Sequence, residues 1–215
     1  MAAKDTPAII AIASQKGGSG KTTLAVHIAT RAAQAKYESC VIDTDPQATA
    51  AAWSDWRGDF LPLVVTSPPA RLARTIASAQ KNGVDFIVID TPPHADAAAR
   101  EAIKAADIVL IPTKPRAFDL AALEPVAELV SFAKTPAFVI LNSVPAGATV
   151  LTKEAKQSAK EIGLKICPVT LGDRAAFHRS SAKGETASES EPDGKAAKEI
   201  DKLWKWLSKE LKQTA

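Results

Sequence analysis

The segment Gln15-Lys16-Gly17-Gly18-Ser19-Gly20-Lys21-Thr22-Thr23 packs three glycines, two lysines and three hydroxyls into nine residues. Glycines at 17, 18 and 20 free the backbone to turn its N–H groups inward around an anion, and a helix opening at Thr22 would add the positive end of its dipole. Gly20-Lys21-Thr22 satisfies the end of the Walker A pattern, while Gln15 stands where the first glycine belongs. The chemistry is that of binding a nucleoside triphosphate. Gly17, Gly18, Ser19, Gly20, Lys21, Thr22 and Thr23 would cradle the phosphates, Lys21 would neutralise charge on the β- and γ-phosphates, and the Thr22 hydroxyl would ligate Mg²⁺.

Two further runs end in carboxylates. Val41-Ile42-Asp43-Thr44-Asp45-Pro46-Gln47 and Phe86-Ile87-Val88-Ile89-Asp90-Thr91-Pro92 are both apolar and then acidic. That order puts acids at the carboxyl edge of a parallel sheet, beside the phosphates. Asp90 reads as the acid that holds the Mg²⁺ shell.

Such groups need a rigid frame. Short Ile- and Val-rich runs alternate with stretches of helical period, the pattern of a parallel sheet with helices on both faces. Strands are expected at Ala8–Ser14, Ser39–Asp43, Leu63–Val65, Val84–Asp90, Asp107–Ile111, Pro136–Asn142 and Lys165–Val169. Helices are expected at Thr22–Ala35, Ala70–Gln80, Asp119–Ala133 and Lys153–Glu161. The fold class is therefore α/β, a single doubly wound, mostly parallel sheet of the P-loop NTPase kind. Residues 1–215 form one domain, in which about 179–194 reads as a mobile loop, rich in Ser, Glu, Gly and Lys. The last element, about 195–212, is an amphipathic helix with Ile200, Leu203, Trp204, Leu207 and Leu211 on one side and lysines largely on the other.

Composition narrows the class further. The chain is 46% hydrophobic and 24% charged, as in a soluble globular protein. Cys40 and Cys167 show no metal-ligand or disulfide spacing, and the N-terminus lacks the basic and long apolar segments of a leader, so a cytoplasmic protein is expected. The net charge of +3 is unevenly placed: residues 1–150 hold 14 cations and 14 anions, residues 151–215 hold 13 and 10. A cationic surplus confined to the last third hints at a polyanionic partner.

Lys16 to Thr23, the Asp43-Thr44-Asp45-Pro46-Gln47 turn and the Ile89-Asp90-Thr91-Pro92-Pro93 strand end together resemble the ParA/MinD group of deviant Walker A ATPases. Ala106–Pro112, Phe118-Asp119-Leu120, Leu141-Asn142 and Ala196–Ile200 follow in that family's order, so the likeness spans nearly the whole chain. It is most like the small ParA type without an N-terminal DNA-reading extension. The resemblance implies ATP and Mg²⁺ as cofactors, Asn142 among the nucleotide-binding residues, and Lys16 as the signature lysine that reaches a partner's phosphates across an ATP-dependent homodimer. It also implies that Asp45 positions the attacking water, with Asp43 nearer the Mg²⁺ shell, so that Lys16, Lys21 and Asp45 form the catalytic set and Thr22, Asp43 and Asp90 the metal set. His94 departs from the small polar residue usual after the two prolines, and Glu189–Asp193 follows the family only loosely.

Three functions are compatible with these residues. The first is a DNA-partitioning ATPase on the nucleoid, whose ATP-bound dimers coat nonspecific DNA until a partition or cargo-adaptor protein stimulates hydrolysis. Arg174, Arg179, Lys183, Lys202 and Lys205 are its expected phosphate contacts. The second is a MinD-like membrane-surface switch using the last helix, against which stands a helix that packs its apolar face on the sheet. The third keeps the ATPase and changes the cargo to a protein assembly or a conjugation complex. A metabolic P-loop enzyme or a nitrogenase-type iron protein fits less well, because no substrate pocket signature appears and the cluster-ligating cysteines are missing.

Overall fold

The computed structural model describes residues 6–58, 60–93 and 96–214. His94 lies outside the described residues. The chain alternates in the expected way: β1 (Ala8–Ile12), α1 (Lys21–Gln34), β2 (Ser39–Asp43), α2 (Thr49–Arg57), β3 (Leu63–Thr66), α3 (Leu72–Lys81), β4 (Phe86–Asp90) and α4 (Asp96–Ala105). It continues with β5 (Ile108–Thr113), α5 (Ala117–Ala121), α6 (Glu124–Ala133), β6 (Ala137–Leu141), α7 (Thr149–Glu161), β7 (Lys165–Ile166), α8 (Ala175–Ser181), α9 (Ala187–Ser190) and α10 (Lys195–Thr214).

The seven strands form one parallel sheet in the order β3-β2-β4-β1-β5-β6-β7. Its central strands are buried on both faces, which is why they read as unbroken apolar runs rather than alternating ones. One face packs against α1, α2, α8, α9 and α10 through Leu24, Ile28, Trp53, Phe177, Ile200, Leu203 and Leu207. The other packs against α3, α4, α6 and α7 through Leu72, Ile103, Val126, Val130 and Ala159. Since a parallel sheet aligns all its carboxyl ends, the tips of β1, β2, β4, β5 and β6 meet along one edge. There Asp43 and Asp90 sit side by side in register.

Three expectations are corrected. The helix foreseen over 119–133 is two helices, because Pro125 in the first turn of α6 has no N–H to extend α5 and is instead suited to a helix start. The last strand is only two residues long: Cys167 still donates to Val139, but Pro168 cannot continue the ladder.

The third concerns 179–194, which is not an irregular loop. It holds the end of α8, all of α9 and a capping box in which Thr186 and Glu189 satisfy each other's amide. Its backbone is held by side chains from distant elements: Trp53 Nε1 donates to the Glu185 carbonyl at 3.3 Å, and Arg57 donates to the Gly184 carbonyl at 3.0 Å. Gly184 has φ +68°, and a Cβ there would collide with the backbone of Trp56 and Arg57. Few apolar residues are needed where polar groups supply the anchoring.

Candidate nucleotide site

The loop between β1 and α1 turns on two left-handed glycines, Gly18 at φ +70° and Gly20 at φ +94°. A Cβ on Gly17 or Gly18 would meet nothing within 4 Å, so the space beside their backbone is open. A Cβ on Gly20 would strike the side-chain amide of Asn142. That amide donates from Nδ2 to the Ser19 carbonyl at 2.8 Å, and Asn142 Oδ1 accepts from the Ser143 amide at 2.9 Å. Asn142, at the tip of β6, thereby braces the loop.

Lys21 is buried, with 7% of its surface exposed, and its ammonium donates to the Lys16 carbonyl at 3.2 Å. Burial lowers its pKa, and the nearby carboxylates of Asp90 and Asp45 partly restore it. Thr22 Oγ1 donates to Asp90 Oδ2 at 2.6 Å. Asp90 is 1% exposed, and burial pushes its pKa up to about 7; the Thr22 bond and Lys21 oppose the shift, while Asp43 and Asp45 add to it.

The loop's electrostatics are incomplete. Asp90 Oδ1 and Ser19 Oγ are buried among the described residues without a hydrogen-bond partner, an unfavourable arrangement unless a ligand completes it. Orphaned oxygens beside a hydroxyl, a buried lysine and open glycine backbone fit a Mg²⁺–triphosphate, with Thr22 and Asp90 as the residues that would hold the ion. When bound, that ion supplies positive charge against the phosphates.

The two acids of the β2 tip have different surroundings. Asp43 Oδ1 accepts from the Asp45 amide at 3.0 Å, and Oδ2 accepts from the amides of Ala50 and Ala51 at 2.9 and 3.3 Å. Burial raises its pKa against those bonds. Asp43 thus anchors the first turn of α2, a duty its strand-end position alone does not reveal. Asp45 is half-buried; one oxygen accepts from the Gln47 amide at 2.9 Å, and its charge reaches both Lys21 and Asp90. Lys16 is also half-buried, and its ammonium forms no hydrogen bond or ion pair among the described residues.

Sequence reasoning missed several residues of the site. Thr44 Oγ1 donates to the Asp90 carbonyl at 2.8 Å and Thr91 Oγ1 to the Ile12 carbonyl at 2.8 Å, tying the tips of β2, β4 and β1 together. The signal was present as a threonine following the aspartate at both tips. A cavity of about 390 Å³ opens beside Gly18 and Gly20, lined by Lys114, Arg116, Ser143, Asp173 and Phe177 as well as Asn142. Its position and size suit the nucleoside end of the ligand. A larger open groove of about 1240 Å³ runs along α7, but it holds neither glycine-rich backbone nor paired carboxylates.

The expected phosphate-contact cations are scattered. Arg174 lines the cavity beside Gly18 and Gly20 and is bonded to Glu199 at 2.7 Å, and Arg179 is bonded to Glu191 at 2.7 Å, so neither is a free cation. Lys183, Lys202 and Lys205 are exposed. The two cysteines are buried thiols whose pKa burial pushes up to about 12.

Residues 10–187 match the model of the CobQ/CobB/MinD/ParA nucleotide binding domain. The chain is 34% identical to the "Maintenance of carboxysome distribution protein A" of Gloeobacter kilaueensis, over 93% of this chain and 96% of that protein. It is 28% identical to the protein of the same name from Halothiobacillus neapolitanus, over 90% and 93%. In three dimensions it is similar to the septum site-determining protein MinD complexed with Mg-ADP from Pyrococcus horikoshii. That likeness has a TM-score of 0.76 at 20% identity and covers 98% of this chain and 99% of that one.

Proposed function

The chain belongs to the CobQ/CobB/MinD/ParA nucleotide-binding family, and from that premise we propose that it is a Mg²⁺-dependent ATPase that positions a large cargo over DNA. In this reading ATP joins two copies into a dimer that binds DNA without sequence preference. An adaptor on the cargo then stimulates hydrolysis and releases the monomers, so the protein works in the cytoplasm on the nucleoid.

The observation that carries the reading is Lys16. Its carbonyl holds Lys21 within the loop, yet its own ammonium has no acceptor among the described residues. A cation at the open edge of a phosphate site, unsatisfied by the described residues of its own chain, suits the phosphates of a second copy, as an arginine finger acts in trans. Asp45, close enough to influence Lys21 and Asp90 but outside the Thr22–Asp90 bond, suits the task of orienting the attacking water.

The names of the relatives support one kind of cargo. The two described above are named for carboxysome distribution and match nearly end to end, whereas a Rhizobium radiobacter protein named ParA matches over only 52% of this chain. We therefore favour a protein assembly over a plasmid or chromosome. The membrane reading loses its chief support, because Ala196, Ala197, Ile200, Leu203, Trp204, Leu207 and Leu211 of α10 are 0–9% exposed and belong to the core, and the half-buried Trp206 packs against it. No helix among the described residues is long and apolar enough to cross a membrane.

Sedimentation with ATP and Mg²⁺ tests the reading. The parent and Asp45→Ala should dimerise, with Asp45→Ala held in that state because it binds but does not hydrolyse. Lys16→Ala should bind ATP and stay monomeric. An ATP-dependent dimer of Lys16→Ala that hydrolyses at the parental rate overturns the role in trans.

A further inference from the structure

The helix α10 carries six lysines, Lys195, Lys198, Lys202, Lys205, Lys209 and Lys212, spaced alternately three and four residues apart. At the helical rotation of roughly 100° per residue, this spacing confines all six to an arc of about 100°. The residues buried against the sheet, from Ala196 to Leu211, centre on the opposite side. All six lysines are exposed, and none is in an ion pair among the described residues.

The acids that could neutralise this stripe are mostly engaged elsewhere. Glu199 accepts from the Gly172 amide at 2.9 Å and from Arg174 at 2.7 Å. Asp201 accepts from Arg31 of α1 at 2.6 Å. Cations from other elements thus occupy two of the helix's three carboxylates, leaving Glu210 on the flank, and the lysine face keeps its charge. At about 1.5 Å per residue the stripe is roughly 26 Å long, carried on a rigid element fixed to the core.

We propose that this six-lysine stripe is the surface that binds the phosphates of duplex DNA, an assignment that rests on the DNA-binding reading of the function. Of the five cations expected from sequence it keeps Lys202 and Lys205 and leaves out Arg174, Arg179 and Lys183, and it adds Lys195, Lys198, Lys209 and Lys212. A straight row of flexible cations on a rigid rod engages a backbone of regular negative charge and reads no base edge. A bilayer would need an apolar face to insert, and that face is already packed on the core; Trp206, beside the stripe, is packed on Phe138 with ring centroids 4.9 Å apart. Pairing two copies doubles the lysines available, so affinity should rise steeply in the ATP state.

The test compares two charge-matched variants of the full chain. One is Lys198→Gln/Lys205→Gln/Lys209→Gln in the stripe. The other is Lys81→Gln/Lys153→Gln/Lys160→Gln on exposed lysines of α3 and α7, with melting curves and nucleotide binding as fold controls. Binding to a random-sequence duplex is measured with ATP and with ADP across a salt series. The stripe variant should bind at least tenfold more weakly at about 0.1 M salt, and its log–log salt slope should shrink by about 0.9 for each phosphate that it no longer neutralises. The control should stay within about twofold of the parent at matched salt. Equal weakening in the two variants would overturn the stripe while leaving DNA binding intact. A parent that binds no DNA in either nucleotide state would overturn the DNA reading and the stripe together. A parent that binds anionic phosphatidylserine vesicles instead, in a stripe-dependent way, would assign the helix to a membrane surface.

Discussion

The phosphate loop and the α8–α9 hairpin are both built from polar residues around α1, yet they are electrostatic opposites. At the loop, Asp90 Oδ1 and Ser19 Oγ are buried without partners among the described residues, and there the Lys21 ammonium has a carbonyl but no bonded carboxylate. Burial moves Lys21 and Asp90 in the directions that disfavour charge. At the hairpin, Arg57 meets Glu189 through two bonds of 2.7 and 3.0 Å, and lies 5.0 Å from the Trp53 ring. Burial raises the Glu189 pKa, but the bonds from Arg57 and Thr186 outweigh it and hold the carboxyl below its usual value. A region whose charges are mismatched in the free chain is poised for a ligand, whereas one whose charges are matched holds the fold.

Removing the loop's main cation should separate these roles most sharply. Lys21→Ala should lower ATP affinity at least about a thousandfold, roughly 4 kcal/mol, because the phosphates lose their buried counter-charge. It should not lower the melting temperature of the nucleotide-free protein, since the lost ammonium was already disfavoured by burial. Titration with a fluorescent ATP analogue and a thermal melt of the same sample check both halves. Retained affinity would undo the site, and a large loss of apo stability would undo the contrast.

Arg57→Ala is the converse. It leaves the Glu189 carboxylate, whose side chain is 27% exposed, without its cation and strips the hairpin of its bond to Gly184, so unfolding in urea should show a loss of about 2 kcal/mol, discounted for that exposure. The folded fraction should still bind ATP within a few-fold of the parent. A variant with normal stability and impaired ATP binding would instead make the hairpin part of the nucleotide site.

The contrast also explains what was legible in the sequence. The loop was legible because phosphate chemistry demands particular residues at fixed local spacing: Gly17, Gly18 and Gly20, then Lys21 and Thr22. The sheet was legible because burial on both faces forces unbroken apolar runs such as Phe86–Asp90. The hairpin was not, because its order comes from partners 127 to 160 residues away in sequence, from Arg57 to Gly184 and from His27 to Ala187. Local composition, rich in Ser and Glu, pointed the other way. Arg174 and Arg179 misled for the same reason, as a lone residue does not disclose that Glu199 or Glu191 faces it.

His27 joins the two regions and gives the smallest effect. It lies on α1 one turn after the loop and is 1% exposed; its Nδ1 is 2.7 Å from the Thr23 carbonyl, and its Nε2 is 3.0 Å from the Ala187 amide. These partners suit a neutral ring that donates from Nδ1 and accepts at Nε2. Burial is the main cause that lowers its pKa to about 4, against the Thr23 bond and the Glu189 charge. The unfolded chain therefore takes up this proton first on acidification. The contribution of His27 to stability is intact above about pH 6.5, is lost as pH falls towards 4, and should drop by about 2 kcal/mol between pH 7 and pH 5. Asp90, whose pKa is raised to about 7, titrates in the opposite sense across the same window: its folded form gains stability as pH falls. The parent's own profile sums the two and can look flat. Urea unfolding of the parent and of His27→Gln at pH 7 and pH 5 removes that cancellation. Relative to His27→Gln, the parent should lose about 2 kcal/mol over the interval, whatever the variant's absolute stability. A difference that does not change with pH would mean that the ring is protonated in the fold and that the hairpin is not stitched to α1 by a neutral histidine.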